Sequence, residues 1–164
     1  GQPGSGEDCI VRPWGGLIEL PDGYWATPYE GSSWLHNSRG YMPQRQGQIR
    51  WARWKPHRFC GVEAEAEGSF TIPTVTLRRN ELRLNYRCKP GGWISVELIR
   101  AVPSRLHPEA DGIPGYTFDE CDRLTGDSLS QAVTWNGQSN ISGIGDTVAI
   151  RIRMFGAKIF AYSC

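Results

Sequence analysis

The sequence predicts an all-β fold, an antiparallel β-sandwich, because apolar and polar side chains alternate along three separate stretches. The pattern is clearest at 82–87 and 94–98, and it returns at 148–154. Successive side chains of a strand point to opposite faces, so each stretch has one apolar face and one mostly polar face. Two sheets that bury their apolar faces against each other leave polar outer faces. The 20 glycines and 11 prolines also favour turns over long helices.

Charge and hydropathy argue against nucleic acid and membrane as partners. The net charge of +1 supplies no field that would draw the chain to nucleic acid or an anionic membrane. No apolar run approaches the roughly 20 residues needed to span a bilayer. The five cysteines are an odd number, so at least one thiol is free or intermolecular, and their spacing fits no zinc motif. One or two disulfides are possible, and the sequence does not decide which cysteines would pair. We see no signal peptide, and since residue 1 is glycine we expect a piece of a longer protein.

The first 58 residues are predicted to form a small β segment after a loose lead-in at 1–15. Residues 16–29, GLIELPDGYWATPY, have the pattern of a hairpin around a Pro-Asp-Gly turn. Gly, Ser, Asn and Pro are spread through 30–46 and predict a long loop. Residues 48–54, QIRWARW, alternate like a strand.

Residues 59–164 are predicted to form the sandwich domain. The stretch 59–77 has the pattern of a strand, a turn and a second strand. The Lys-Pro-Gly-Gly sequence at 89–92 predicts a tight turn, which makes 81–100 a β-hairpin.

The C-terminal part is predicted to be an irregular segment followed by short strands. Prolines and glycines recur through 101–130, and 131–135 is predicted to be a short strand before an Asn-Gly turn. Residues 147–155 and 157–163 are predicted to be two adjacent antiparallel strands, with Phe155–Ala157 as their connection.

The order of several sequence blocks resembles one known kind of module. From residue 59 onward the chain is similar to the C-terminal β-sandwich of bacterial proteins related to glycoside hydrolase families 32 and 43. The blocks that carry this resemblance are RFCGVEAEAEGSFTIPTVTL, LRLNYR, IPGYTFDECDRLTGD, VTWNG and VAIRIRMFGAKIFAYS. Two earlier blocks, GLIELPDGYWATPYEG and GQIRWARW, resemble a terminal blade of the propeller that precedes that module.

This resemblance implies a jelly-roll sandwich of the concanavalin-like kind, often used to bind sugars. It implies a domain 59–164 behind a blade-like segment 1–58, an extracellular or periplasmic location, and a propeller domain or neighbouring chain as partner. The catalytic carboxylates of those enzymes lie on earlier blades, so no catalytic residue is carried over to this chain.

Four acids within nine residues form the first candidate site: Asp119, Glu120, Asp122 and Asp127. Carboxylates in a curved loop suit Ca²⁺, which takes six to eight oxygens, although the spacing does not match an EF-hand. The alternatives are acids that hold turn amides or pair with Arg123, and acids that bind a sugar.

Polar residues on the predicted sheet face form the second candidate: Arg83, Asn85, Arg87, Ser95, Glu97, Arg151 and Arg153. Planar groups with several donors or acceptors match sugar hydroxyls, which both donate and accept. Several arginines together would also suit an anionic ligand. The alternative is a solvated face with cross-strand ion pairs.

The third candidate is a tryptophan surface, for which we prefer Trp135 beside the Asn-Gly turn. A sugar ring can stack on an exposed indole because its C–H edges are apolar. The alternative is core or inter-domain packing. Paired carboxylates are typical of glycoside hydrolysis, and Glu120 or Asp122 could approach Glu97 in the fold.

The sequence therefore predicts a non-catalytic carbohydrate-binding module. Its expected ligand-binding residues are Arg87, Glu97, Glu120, Asp122 and Trp135. No metal ligand set, cofactor, nucleic acid or membrane is expected, apart from the structural Ca²⁺ considered above. Two alternatives stay open: a structural sandwich that supports a propeller, and a fragment of a glycoside hydrolase.

Overall fold

The structure, a computed structural model, describes residues 10–32, 47–100 and 111–164. These residues form nine β-strands and contain no helix, so they hold none that could cross a membrane. The strands are β1 (Ile10–Pro13), β2 (Ile18–Glu19), β3 (Trp25–Ser32), β4 (Gly47–Trp54), β5 (Val62–Ala64), β6 (Gly68–Thr76), β7 (Arg83–Arg100), β8 (Asp127–Ala132) and β9 (Thr147–Ser163).

They form two antiparallel sheets, neither of which closes into a barrel within the described ranges. This confirms the all-β antiparallel class and is compatible with a β-sandwich. By its internal contacts the chain divides into two compact units, residues 1–56 and 57–164.

The first unit holds a four-stranded sheet with β3 at its centre. β4 pairs along the whole of β3, while β1 and β2 share the opposite edge of β3. The predicted Pro-Asp-Gly hairpin is confirmed, because the Gly23 amide donates to the Leu20 carbonyl at 2.9 Å and Gly23 has φ of 77°. The strand at 48–54 is also confirmed as β4. The predicted loop at 30–46 does not begin at residue 30, since β3 continues to Ser32; the rest of it, 33–46, lies outside the described residues.

The second unit holds a five-stranded sheet in which β9 is the central strand. The order is β5-β9-β7-β8, and β6 pairs with β9 on the same side as β5. The predicted strand, turn and strand at 59–77 are confirmed as β5 and β6. The predicted strand at 131–135 was misplaced, since β8 begins at Asp127 and ends at Ala132. The Asn-Gly turn after it is confirmed, with φ of 50° at Asn136 and 77° at Gly137.

Two predicted hairpins are wrong, because β7 and β9 each run straight through the expected turn. Arg83 to Cys88 pair with Ser163 to Ala157, and Trp93 to Arg100 pair with Phe155 to Val148. The four residues of the Lys-Pro-Gly-Gly sequence therefore stand opposite one residue, Gly156. This is a large, irregular β-bulge, which adds residues to one strand without ending the pairing.

Glycine allows the bulge because the two backbones approach closely. A Cβ on Gly92 would lie 2.4 Å from the Gly156 carbonyl oxygen. Gly91 and Gly156 have φ of 78° and 52°, in the left-handed region that side chains disfavour. The same residues suit a tight turn, which explains why the sequence pattern was misleading.

The hydrophobic core lies within the second unit. Both halves of β7 contribute to it, the first through Leu84 and Tyr86 and the second through Ile94, Val96 and Leu98, and Leu82 joins them from just before the strand. Segments outside the sheet complete it with Ile113, Cys121, Leu124, Val133, Trp135 and Ile141. These buried side chains hold the loops at 111–126 and 133–141 against the sheet, and all candidate site residues belong to this unit.

Candidate functional site

Trp135 is a core residue and not an exposed stacking surface. It is 2% exposed, and its indole N–H donates to the Val96 carbonyl at 3.0 Å. Its ring also meets Tyr116 edge-on, with 5.3 Å between ring centroids. The expectation of an open indole face is therefore wrong. A buried indole N–H needs an acceptor, and Val96 on the neighbouring strand supplies it.

Glu97 does not lie on an open polar face either. It is 7% exposed and accepts a hydrogen bond from Arg151 Nη1 at 2.6 Å. Gly112 passes directly over it, since a Cβ there would lie 2.5 Å from Glu97 Oε1. The neighbouring Ser95 is 5% exposed, with its hydroxyl 3.4 Å from the Phe118 carbonyl. The second half of β7 is thus covered on the face that the sequence pattern predicted to be solvated.

Arg87 is exposed and lies on the first half of β7, beyond the bulge from Glu97. Its register partners are Lys158 on β9 and Asp127 on β8. The structure therefore does not gather Arg87 and Glu97 into one site.

The other polar side chains of this predicted face have partners within the unit. Arg83 donates to Glu81 at 2.7 Å, and Asn85 accepts from Arg58 at 2.8 Å. The Arg153 guanidinium lies over the Phe118 ring, 4.6 Å from its centroid. These distances fit the alternative in which the polar side chains contact one another and nearby rings. They do not form a single surface for a ligand.

Glu120 holds a turn in the acidic segment. Its Oε2 accepts from the Gly115 amide at 3.0 Å, the Thr117 amide at 3.1 Å and the Thr117 hydroxyl at 2.8 Å. The hydrogen bonds from Thr117, hydroxyl first, and then from Gly115 lower the pKa of Glu120.

Asp122 holds a second turn. Its Oδ2 accepts from the Gly137 amide at 2.8 Å, and the Thr134 side chain together with that amide lowers the pKa of Asp122. The two carboxylates therefore fasten neighbouring turns, as the turn interpretation of the acidic segment predicted. Within the described ranges, no group of three or more His, Cys, Asp or Glu is placed to hold a metal ion.

Between these two turns lies an open hollow of about 400 Å³, which we call the amide hollow. It is lined by Pro114, Gly115, Tyr116, Trp135, Asn136 and Gln138. The backbone N–H of Asn136 donates to the Glu120 backbone carbonyl at 2.9 Å, and the Tyr116 hydroxyl donates to the Asn140 backbone carbonyl at 2.9 Å. Both walls are thus tied to the rest of the unit.

The structure therefore brings Glu120, Asp122 and Trp135 together, but as the frame of the hollow. The side chains that line its open part, Tyr116, Asn136 and Gln138, were missed by the sequence reasoning. The signal was available, since a Pro-Gly-Tyr turn precedes the acidic segment and an Asn-Gly-Gln turn follows it.

The cysteines do not add to this site. Cys60, Cys88, Cys121 and Cys164 are free thiols, and Cys9 lies outside the described residues. Burial raises the pKa of the Cys121 thiol, whose sulfur lies 3.2 Å from the Val96 amide nitrogen. A thiol in this state is a poor nucleophile and acts as core.

Comparison of the chain with protein-family models, with curated proteins and with solved structures gives no match.

Proposed function

We propose that the chain binds a carbohydrate without catalysing its cleavage, and that the amide hollow is the binding site. The observation that carries the proposal is the chemistry of its lining, which combines ring and amide groups with no charged side chain. Its volume of about 400 Å³ falls within the roughly 300–1,000 Å³ of small-ligand sites.

A neutral sugar matches this lining. The side-chain amides of Asn136 and Gln138 each donate and accept, as sugar hydroxyls do. The ring of Tyr116, which is partly exposed, offers an apolar surface to sugar C–H groups. Glu120 and Asp122 would act as positioning residues because they hold the two turns from behind.

In this proposal the chain is an accessory module of a larger extracellular or periplasmic protein related to glycoside hydrolases. Support for the wider setting comes from the sequence resemblance and from the all-β fold. Support for a non-catalytic role comes from Glu97, which is covered and paired with Arg151 and so is not available as one of two opposed carboxylates.

The test is affinity electrophoresis against a panel of neutral polysaccharides, followed by calorimetry on the best ligand. Gln138→Ala and Asn136→Gly should each weaken binding about fivefold, since one good hydrogen bond is worth roughly 1 kcal/mol. Glycine at 136 keeps the left-handed backbone that φ of 50° requires.

Arg87→Ala is the matched control, because it removes a polar residue of the originally predicted sheet face and leaves the amide hollow intact. We expect no change in affinity for this variant. The proposal fails if no polysaccharide binds the folded chain. The same holds if Arg87→Ala abolishes binding while Gln138→Ala does not.

A second candidate is a structural role for residues 1–56, as the part that packs against a propeller domain. The observation that favours it is the exposure of large apolar side chains in this unit: Val11, Trp14, Leu17, Ile18, Ile49 and Trp51. Exposed apolar area of this kind marks interaction surfaces. The double variant Ile49→Thr, Trp51→Ser should reduce the binding of a hydrophobic dye to the chain and leave glycan binding unchanged. Dye binding equal to that of the original chain would count against this role.

A further inference from the structure

A second hollow, separate from the amide hollow, lies between residues 77–80 and 141–146 and has a volume of about 230 Å³. We call it the arginine hollow, because Arg78 and Arg79 both line it. Neither the predicted ligand-binding residues nor the lining of the amide hollow includes any of its residues.

The two walls of the arginine hollow are tied together at both ends. The Leu77 amide donates to the Asp146 carbonyl at 2.9 Å, and the Ile141 amide donates to the Asn80 carbonyl at 2.9 Å. Leu77 and Ile141 also pack on or within the hydrophobic core. The hollow is therefore held open by backbone bonds and core packing, and does not depend on its charged side chains.

Arg78 and Arg79 are exposed, and neither has a hydrogen bond, ion pair or ring contact in the part of the chain that the structure describes. Five other described arginines of this unit have carboxylate, carbonyl or ring partners: Arg58, Arg83, Arg123, Arg151 and Arg153. Arg87 and Arg100 are exposed without such a partner among the described residues, but neither lines the arginine hollow. Two neighbouring guanidinium groups without partners repel each other, and an anion between them would relieve that repulsion.

The opposite wall supplies backbone donors. Gly143 and Gly145 have φ of 85° and 115°, and a Cβ on either would meet nothing within 4 Å. Their amides have no partner among the described residues. Glycine in this conformation lets a ligand approach the backbone, and turn amides without partners can donate hydrogen bonds to an anion.

The remaining charged residue of the lining is Asp146. With two arginines and one acid, the hollow keeps a net positive charge. A volume of about 230 Å³ is below the usual range for a whole small-molecule ligand, so the hollow suits one charged group. Guanidinium groups present paired donors that match planar or tetrahedral oxyanions.

We infer that the arginine hollow binds an oxyanion, a sulfate or carboxylate group, through Arg78, Arg79 and the amides of Gly143 and Gly145. The group is either a free anion or an acidic substituent of a saccharide. The inference stands on this hollow alone and does not rest on the glycan proposal for the amide hollow.

The experiment is an NMR titration of the full ¹⁵N-labelled chain with sodium sulfate and, separately, with sodium glucuronate, at an ionic strength held constant with sodium chloride. We expect saturable shifts of the Gly143 and Gly145 amides with at least one of these anions. The double variant Arg78→Gln, Arg79→Gln should weaken anion binding by at least about tenfold, since a charge-assisted hydrogen bond is worth roughly 1.5–3 kcal/mol.

Two further variants make the result specific. Asp146→Asn removes the one acid of the lining and should tighten anion binding. Arg123→Gln removes one positive charge elsewhere and should leave anion binding unchanged, because Arg123 does not line the hollow and its guanidinium lies over the Trp93 ring, 4.4 Å from the centroid. Absence of a saturable shift at Gly143 and Gly145, or an equal loss in Arg123→Gln, overturns the inference.

The source of the anion is found by comparing a uronate-bearing polysaccharide with free glucuronate and inorganic sulfate. Tighter binding of the polysaccharide that is erased by the double arginine variant identifies a saccharide substituent. Equal affinity for inorganic sulfate identifies a free anion. Neutral polysaccharides should bind the double variant as they bind the original chain, so this site and the amide hollow can fail independently.

Discussion

Two carboxylates of the acidic segment, Glu120 and Asp122, bind the protein's own backbone. Glu120 and Asp122 were expected to face a ligand, yet each accepts hydrogen bonds from the amide of a turn residue. A carboxylate near free amides satisfies donors that would otherwise lose water on folding. The two carboxylates of the acidic segment therefore stabilise the two turns that form the walls of the amide hollow.

This arrangement predicts a specific loss of stability in acid. The folded-state pKa of Glu120 and of Asp122 is lowered by hydrogen bonds to the charged form. Their contribution to stability is therefore complete above the ordinary carboxyl pKa of about 4 and is lost as pH falls through the lower folded-state values. Glu120→Gln and Asp122→Asn should each flatten the decline in the free energy of unfolding below about pH 4, measured by urea denaturation at several pH values. Curves as steep as that of the original chain would contradict the assigned bonds.

The buried pair Glu97–Arg151 should behave differently from surface pairs. Its side chains are 9% and 20% exposed, whereas those of Glu63 and Lys158 are 40% and 27% exposed. Glu97→Ala should lower the free energy of unfolding by about 3 kcal/mol, because it leaves a buried guanidinium without its carboxylate. Glu63→Ala, the matched change at the more exposed pair, should have a much smaller effect. Equal effects in chemical denaturation would show that Glu97 is solvated.

At the scale of the strand, the bulge between β7 and β9 is the feature on which the sheet depends. It inserts four residues of β7 opposite Gly156 while pairing continues on both sides. Bulges of this kind bend a strand and increase its twist. Residues before and after it, such as Tyr86 and Ile94, still reach the same hydrophobic core.

Two adjacent glycines of this bulge should respond differently to alanine. Gly92→Ala places a Cβ 2.4 Å from the Gly156 carbonyl oxygen, a backbone atom that has to move, so we expect a severe loss of stability. Gly91→Ala meets no atom within 4 Å and carries only the cost of φ at 78°, about 1–2 kcal/mol. Thermal unfolding of both variants tests this order. A Gly91→Ala variant less stable than Gly92→Ala would mean that close approach is not the constraint.

The sequence pattern identified most of the strand residues, although it misplaced β8, and it did not identify where the long strands end. Alternation correctly placed Leu82–Tyr86, Ile94–Leu98 and Val148–Met154 in the core, because period two depends only on local geometry. It could not decide whether Lys-Pro-Gly-Gly turns or bulges, since both need glycine with positive φ. That choice depends on β9, a partner more than fifty residues away in sequence.

The prediction of the binding site failed in part for a related reason, because burial depends on residues that are distant in sequence. Residue types indicated chemistry that could bind sugar, but burial of Trp135 and Glu97 depends on segments folded over them from elsewhere. The Val96 carbonyl that accepts from Trp135, and Gly112 that covers Glu97, have no local sequence signal. The turns on either side of the acidic segment were predictable, and they form the walls of the hollow.

At the scale of the whole molecule, the two units differ in what they bury. The hydrophobic core cluster contains none of the described residues of 1–56, and these bury only Ala26, Gly31 and Ser32. A small sheet without an apolar core is marginal in water. We therefore expect residues 57–164 to fold alone, and 1–56 not to unfold cooperatively as an isolated fragment.

The boundary of the independent unit can be placed at Arg58. Its side chain is 7% exposed and donates to Asn85 Oδ1, the Tyr86 carbonyl, Asp127 Oδ1 and the Ser128 carbonyl, while its guanidinium lies over the Phe160 ring. It thus joins the start of the unit to β7, β8 and β9. A fragment that begins at Phe59 lacks this contact, although the sequence predicted the domain to begin there.

A fragment 57–164 should therefore unfold in one cooperative transition. Arg58→Ala within it should lower the free energy of unfolding by about 3 kcal/mol, because four hydrogen bonds from a side chain only 7% exposed are lost. Arg87→Ala, an exposed arginine on β7, is the matched control and should change it by about 0.5 kcal/mol or less. Chemical denaturation followed by tryptophan fluorescence measures both. If 57–164 unfolds without cooperativity while the full chain is cooperative, residues 1–56 contribute to the stability of the core, and the independence of the second unit is refuted.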